Sequence, residues 1–132
     1  MTRKSYYLFC KLVQSNIINM KKIVIEEQDI NALQDTIYVI GGKWKLPIIY
    51  SICNGNKRFM DIERSIPGLT TRMLARNLKE LEDNKLISRI MNADIGVAEY
   101  EFTEYAKEYG TLIMNLIAWG KKHRAMIIES LR

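Results

Sequence analysis

Apolar positions recur at helical spacing over most of the chain and give way to strand-like runs in one stretch. Ile30, Leu33, Ile37 and Ile40 follow one another at intervals of 3, 4 and 3, one face of a helix that Gly41-Gly42 ends. Lys43-Trp44-Lys45-Leu46 leads to Pro47, a residue favoured in a helix's first turn. Ile48, Ile49, Ile52 and Cys53 then predict a buried face on a second helix, stopped by Asn54-Gly55-Asn56. Phe59, Ile62 and Ile66 mark a short third helix broken by Pro67-Gly68. Thr70 is placed to cap a fourth helix, with Leu74, Leu78 and Leu81 on its apolar face and Asp83-Asn84 at its end. The period then changes. Residues 86–90 and 97–102 read as two strands joined by a turn at Asn92-Ala93-Asp94-Ile95-Gly96. Thr103 is placed to cap a long last helix. Its stripe of Tyr105, Tyr109, Leu112, Leu116, Trp119 and His123 runs at intervals of 4, 3, 4, 3 and 4, widened by Ile113 and Ile117.

Three helices followed by a hairpin and a long helix describe a mainly α fold with a small β-hairpin wing, a winged helix-turn-helix. At 132 residues, 48% of them hydrophobic, the chain is long enough for one domain with a core. We read residues 26–132 as that domain and residues 1–25 as an N-terminal arm of uncertain role. Arg3 and Lys4 ahead of Tyr6-Tyr7-Leu8-Phe9-Cys10 faintly suggest a leader, but Lys11, Gln14, Asn16 and Asn19 interrupt the run and no small-residue cleavage site follows. Met20-Lys21-Lys22 also reads as an ordinary beginning, which leaves Met20 open as the natural start. No run of about eighteen apolar residues exists, so no membrane span is expected.

The charge is unevenly placed. The net charge is +5, and ten of the twenty Lys and Arg lie between Gly41 and Arg89, with only five Asp and Glu among them. The flanking segments sum to zero. Positive charge gathered on one helical unit points to a polyanion, nucleic acid being the commonest. In a helix-turn-helix the second helix enters the major groove. With Leu74 at the centre of the buried face, Arg72, Arg76 and Lys79 fall on the opposite side. Ala75 beside them is small enough to allow close approach, and Thr70 and Thr71 stand at the helix start, where free N–H groups favour a phosphate. Arginine bonds guanine through O6 and N7, whereas Lys79 suits a phosphate. Arg89, on the first strand, is counted with this set.

Other chemistry is poorly represented. Cys10, Cys53 and the single His123 have no zinc-site spacing, and no cofactor is expected. The thiols suit a reduced, cytoplasmic setting. Cys53, on an apolar helix face, is expected to be buried and inert. Trp44 reads as a core anchor, and His123 as a surface or interface residue. No nucleophile–base pair or phosphate-cradling glycine loop suggests an enzyme. The long stripe needs a partner surface, so Tyr109, Leu112, Ile113, Leu116 and Trp119 are read as a homodimer seam. A winged-helix module that binds proteins and not DNA is the second reading. It draws on Glu80 and Asp83 beside the basic face and on a wing without a basic tip.

Ile40-Gly41-Gly42-Lys43-Trp44-Lys45, Lys57-Arg58-Phe59, Ile66-Pro67-Gly68-Leu69-Thr70-Thr71-Arg72-Met73-Leu74, Leu78-Lys79-Glu80-Leu81-Glu82, Glu99-Tyr100 with Thr103, and Ala118-Trp119-Gly120 together resemble the HxlR family of winged-helix transcription regulators. The match spans about residues 30–124. It implies a bacterial or archaeal homodimer on double-stranded operator DNA, repressing or activating nearby genes, with any small-molecule effector left open. Two departures qualify it. Many relatives carry a sensing Cys early in the helix before the Gly-Gly; the matching place here is Asn31, so that chemistry is not carried over. Relatives often have a Pro-rich wing with an Arg near the second strand; Asp94-Ile95-Gly96-Val97 stands here, which argues against wing insertion into the minor groove.

Overall fold

The computed structural model describes residues 24–132. The readings that fall on residues 1–23, including Cys10, Met20 and most of the N-terminal arm, lie outside the described residues. Two compact units are distinguished, up to Thr36 and from Ile37 to Arg132. In the first, Glu27 begins helix α1 (Glu27–Ile40), with Glu27 and Asp29 in the first turn, where carboxylates suit the partial positive charge of a helix start. The Asp29 carboxylate also accepts the Glu26 amide at 2.9 Å.

The second unit carries the end of α1 and six further elements: α2 (Lys45–Cys53), α3 (Phe59–Ser65), α4 (Thr71–Asp83), β1 (Ile87–Asn92), β2 (Val97–Phe102) and α5 (Ala106–Ser130). Its core is built from the apolar faces that the spacing predicts. Ile48 on α2, Ile62 on α3, Leu74, Leu78 and Leu81 on α4, and Ile87 on β1 are all essentially inaccessible to solvent. Trp44, Phe59, Ile66 and Tyr109 pack against that cluster. Trp44 is thus a core anchor, and its ring lies 3.7 Å from where a side chain at Gly68 would begin. Gly68 itself has φ +81°, a backbone state that few other residues adopt at low cost. At the end of α1 a side chain on Gly41 would meet the Ile37 carbonyl oxygen at 2.5 Å, so the chain can turn there only with glycine.

The hairpin pairs β1 and β2 antiparallel, from Ile87 opposite Phe102 to Asn92 opposite Val97. β1 starts one residue later than the apolar run suggests and continues to Asn92. Leu86 is buried but stays outside the ladder, because Lys85 takes φ +63° and turns the chain between α4 and the hairpin. The Thr103 hydroxyl donates to the Lys85 carbonyl oxygen and accepts the Ala106 amide at 3.2 Å, so it ties that turn to the start of α5, although the cap position itself falls on Tyr105, whose side chain makes no capping bond. The outer edge of β2 is covered by a contact that spacing does not reveal. Arg58 forms a bridge to Glu99, and the Tyr100 amide donates to the Lys57 carbonyl at 2.7 Å. Lys57 also pairs with Glu101 at 3.0 Å.

One expectation is corrected. Cys53 is exposed, not buried. It is the last residue of α2, where the chain leaves the core towards Asn54-Gly55, so the apolar stripe that ends on it has already turned outward.

The tight seating of α4 sets its stability. Leu78→Ala is expected to destabilise the fold by about 2–5 kcal/mol. Urea denaturation at fixed protein concentration checks this, and a loss below about 1 kcal/mol would show that the cavity collapses or that Leu78 is not central to the core.

Candidate DNA interface

α4 is amphipathic because its sequence places leucine at intervals of four and three, and the core takes all three leucines. That burial fixes the rotation of the helix. Arg72, Ala75, Arg76 and Lys79 are consequently exposed, together with Thr70 and Thr71 at the N-terminal end. Thr70 caps the helix: its hydroxyl accepts the Met73 amide at 3.2 Å. The Thr71 hydroxyl donates to the Glu63 carboxylate of α3 at 2.6 Å. An acid therefore stands at the very start of α4, a feature that spacing within α4 cannot reveal. Arg89 is exposed on β1, opposite Tyr100 in the ladder.

The three cations of α4 differ in their surroundings. Lys79 pairs with Asp83 at 2.9 Å, four residues on, and both side chains are largely in water. The hydrogen bond to Asp83 and its negative charge push the Lys79 pKa up. Arg76 Nε donates to Glu80 Oε1 at 3.2 Å. Arg72 has no ion-pair partner among the described residues. Arg72, Arg76 and Lys79 are matched in number by Glu80, Glu82 and Asp83, so α4 as a whole carries no net charge. The positive excess of the segment sits around it, on Lys43, Lys57, Arg58, Lys85 and Arg89 among others.

Glu80 is held from a second side. Its Oε2 lies 3.0 Å from Lys45 Nζ, and the Lys45 side chain is only 6% exposed. The same ammonium donates to the Tyr38 carbonyl oxygen at 3.2 Å and lies 5.3 Å from the centre of the Tyr38 ring. The hydrogen bond from Lys45 holds the Glu80 carboxyl below the usual carboxylate range; partial burial opposes this and Arg76 reinforces it. The i,i+4 pairs are legible in sequence. The Lys45–Glu80 contact is not, because its partners lie on different helices. An open cleft of about 490 Å³ runs past this group, with Trp44 and Met73 on its walls.

On α5, Tyr109, Leu112 and Ile113 are half-buried, and Tyr109 packs on the core of its own chain with its hydroxyl enclosed and unpartnered among the described residues. Leu116 and Trp119 are exposed, Trp119 at 64% of its full accessible surface, and Trp119 stacks on His123 at 4.9 Å between ring centres. Met114, Ile117, Met126, Ile127 and Ile128 extend this apolar exposure.

Three short helices (α2, α3 and α4), a hairpin and a long terminal helix, in that order, define a winged helix-turn-helix fold. Comparison with known proteins identifies which kind. The HxlR-like helix-turn-helix family model matches residues 39–127. The HTH-type transcriptional regulator YtcD of Bacillus subtilis is 37% identical over 93 residues, 70% of this chain and 74% of YtcD. The regulator YybR of the same organism is 32% identical over 113 residues, 85% of this chain and 90% of YybR. Among solved structures, the redox regulator HypR in its reduced form superposes with a TM-score of 0.62 at 32% identity, covering 70% of this chain and 93% of HypR. Reduced YodB from B. subtilis superposes with a TM-score of 0.62 at 28% identity, covering 75% and 94%. The chain belongs to the HxlR-like helix-turn-helix family of transcriptional regulators. No helix among the described residues is long and apolar enough to cross a membrane.

The Lys45–Glu80 pair makes a pH prediction. Because the folded-state pKa of Glu80 is depressed, its ionisation stabilises the fold above the unfolded value of about 4.3. That contribution disappears as pH falls through the lower folded value. Glu80→Gln should lower stability at neutral pH and flatten its decline between about pH 5 and pH 3. Urea midpoints measured across that range would contradict this if wild type and variant fell in parallel.

Proposed function

We propose that the protein is a cytoplasmic, homodimeric regulator that binds specific double-stranded DNA through α4. The observation that carries this reading is the exposure of Arg72, Arg76 and Lys79 on one face of a helix whose opposite face is locked into the core. A helix so fixed can enter a major groove without rearrangement, and Ala75 leaves room for close approach. Arg72 and Arg76 are the base-reading candidates, by bidentate bonds to guanine. Lys79 and Arg89 are the phosphate-binding candidates, with Thr70 and Thr71 at the N-terminal end of the helix.

Two-fold pairing through α5 completes the proposal. A single chain leaves Leu116, Trp119 and their apolar neighbours in water, alongside the half-buried Leu112, Ile113 and Tyr109. Pairing two chains there would cover the stripe and present two copies of α4 to grooves about 34–36 Å apart, so the operator would be a pseudo-palindrome.

Anisotropy titrations on a duplex selected by the wild-type protein from a randomised library test the first part. Arg76→Ala should weaken binding by about 1–3 kcal/mol, and Lys79→Ala should weaken all sequences alike and reduce the salt slope by about one unit. Unchanged affinity in both variants would favour a winged-helix module that binds protein partners instead.

Leu116→Asp should lose the dimer and operator affinity together, because a charge in the seam would be buried without a partner. Light scattering decides this: a monomeric wild type, or a dimeric Leu116→Asp protein, would remove α5 as the interface.

A further inference from the structure

The two exposed i,i+4 pairs of α4 have the same spacing and different anchoring. Lys79–Asp83 has nothing behind it: both side chains are more than half exposed. Such a pair is worth little and holds neither partner in one place. Arg76–Glu80 is backed by the buried ammonium of Lys45, which takes Glu80 Oε2 and leaves Oε1 to Arg76. Lys45 cannot readily move away. Its side chain is nearly closed off from water, and its ammonium is also bound to the Tyr38 carbonyl oxygen. A buried cation is costly unless paired, so the pairing holds Glu80 in a defined position.

From this geometry we infer that Lys45 is a positioning residue for DNA recognition: through Glu80 it orients the Arg76 guanidinium and thereby sets the selectivity of α4 for one base pair. Glu80 accepts from Arg76 Nε. The terminal nitrogens of Arg76 make no hydrogen bond among the described residues and remain available for a guanine edge, which requires a guanidinium of fixed orientation. The arrangement also ties Gly41-Gly42-Lys43-Trp44-Lys45 physically to Leu78-Lys79-Glu80-Leu81-Glu82. The inference rests on the proposed DNA reading and adds the residue that aims its arginine.

The test uses the full chain, the library-selected duplex and every single-base-pair substitution of it. Arg76→Ala should lose discrimination at one base pair per half-site, on the order of 5- to 150-fold. Lys45→Met should lose about 2- to 10-fold at that same base pair. It should cause no further loss there in an Arg76→Ala background. Lys45→Arg, which keeps a cation, should restore most of the discrimination, and Asp83→Asn should leave it intact. If Lys45→Met does not fold, as judged by circular dichroism, Glu80→Gln carries the same expectation. A uniform loss over all base pairs, with discrimination at the Arg76 position intact, would overturn the inference and leave Lys45 a purely structural residue. Loss that persists in the Arg76→Ala background would overturn it as well. If Arg76→Ala itself discriminates as the wild type does, the DNA reading of Arg76 fails and the inference falls with it.

Discussion

Burial of Leu74, Leu78 and Leu81 is the constraint on which the rest of the second unit depends. These side chains leave no accessible surface to speak of and meet Ile48, Ile62, Leu86 and Ile87 from the surrounding elements. A helix held by three leucines at intervals of four and three has one permitted rotation, since a turn of 100° would bring Arg or Lys towards the core. The outward direction of Arg72, Arg76 and Lys79 is thus a consequence of packing and not of charge. Deleting a leucine would alter the direction of this basic face as well as stability.

Charge acts at a second level, and its distribution is unlike that of a simple basic helix. α4 is neutral overall, and its acids are close to its cations. If α4 binds DNA as proposed, a neutral helix gains little from non-specific attraction to phosphate, and affinity for any duplex would come from the basic residues around it and from doubling in the proposed dimer, at about −0.9 in log–log salt slope for each phosphate neutralised. In the proposed reading, a carboxylate beside a base-reading cation competes with the base for it, and a cation held in one orientation by such a pair suits only one base edge. Specificity then depends on how rigidly each pair is held.

Much of this was legible in the chain. Helical spacing located the helices, the change of period located the hairpin, and Thr70 was readable as a cap because its hydroxyl meets the Met73 amide at the start of α4. The basic row of α4 followed from the same spacing. What escaped the sequence involves contacts between distant segments. Lys45 entered only as one of the basic residues of the central segment, since nothing local announces that its ammonium will lie against Glu80. Glu63 at the start of α4 and the Lys57–Arg58 edge on β2 are likewise products of tertiary folding. Cys53 was misplaced for a different reason: a stripe pattern cannot say at which turn a helix emerges from the core.

The central claim is that α4 reads a major groove twice, once in each half of a dimer. Methylation interference on the library-selected duplex tests it most directly, because guanine N7 lies in the major groove and adenine N3 in the minor groove. The account predicts interference from guanine N7 methylation in two clusters about one helical turn apart, related by two-fold symmetry. Interference confined to adenine N3, or a single cluster without a symmetric mate, would contradict it.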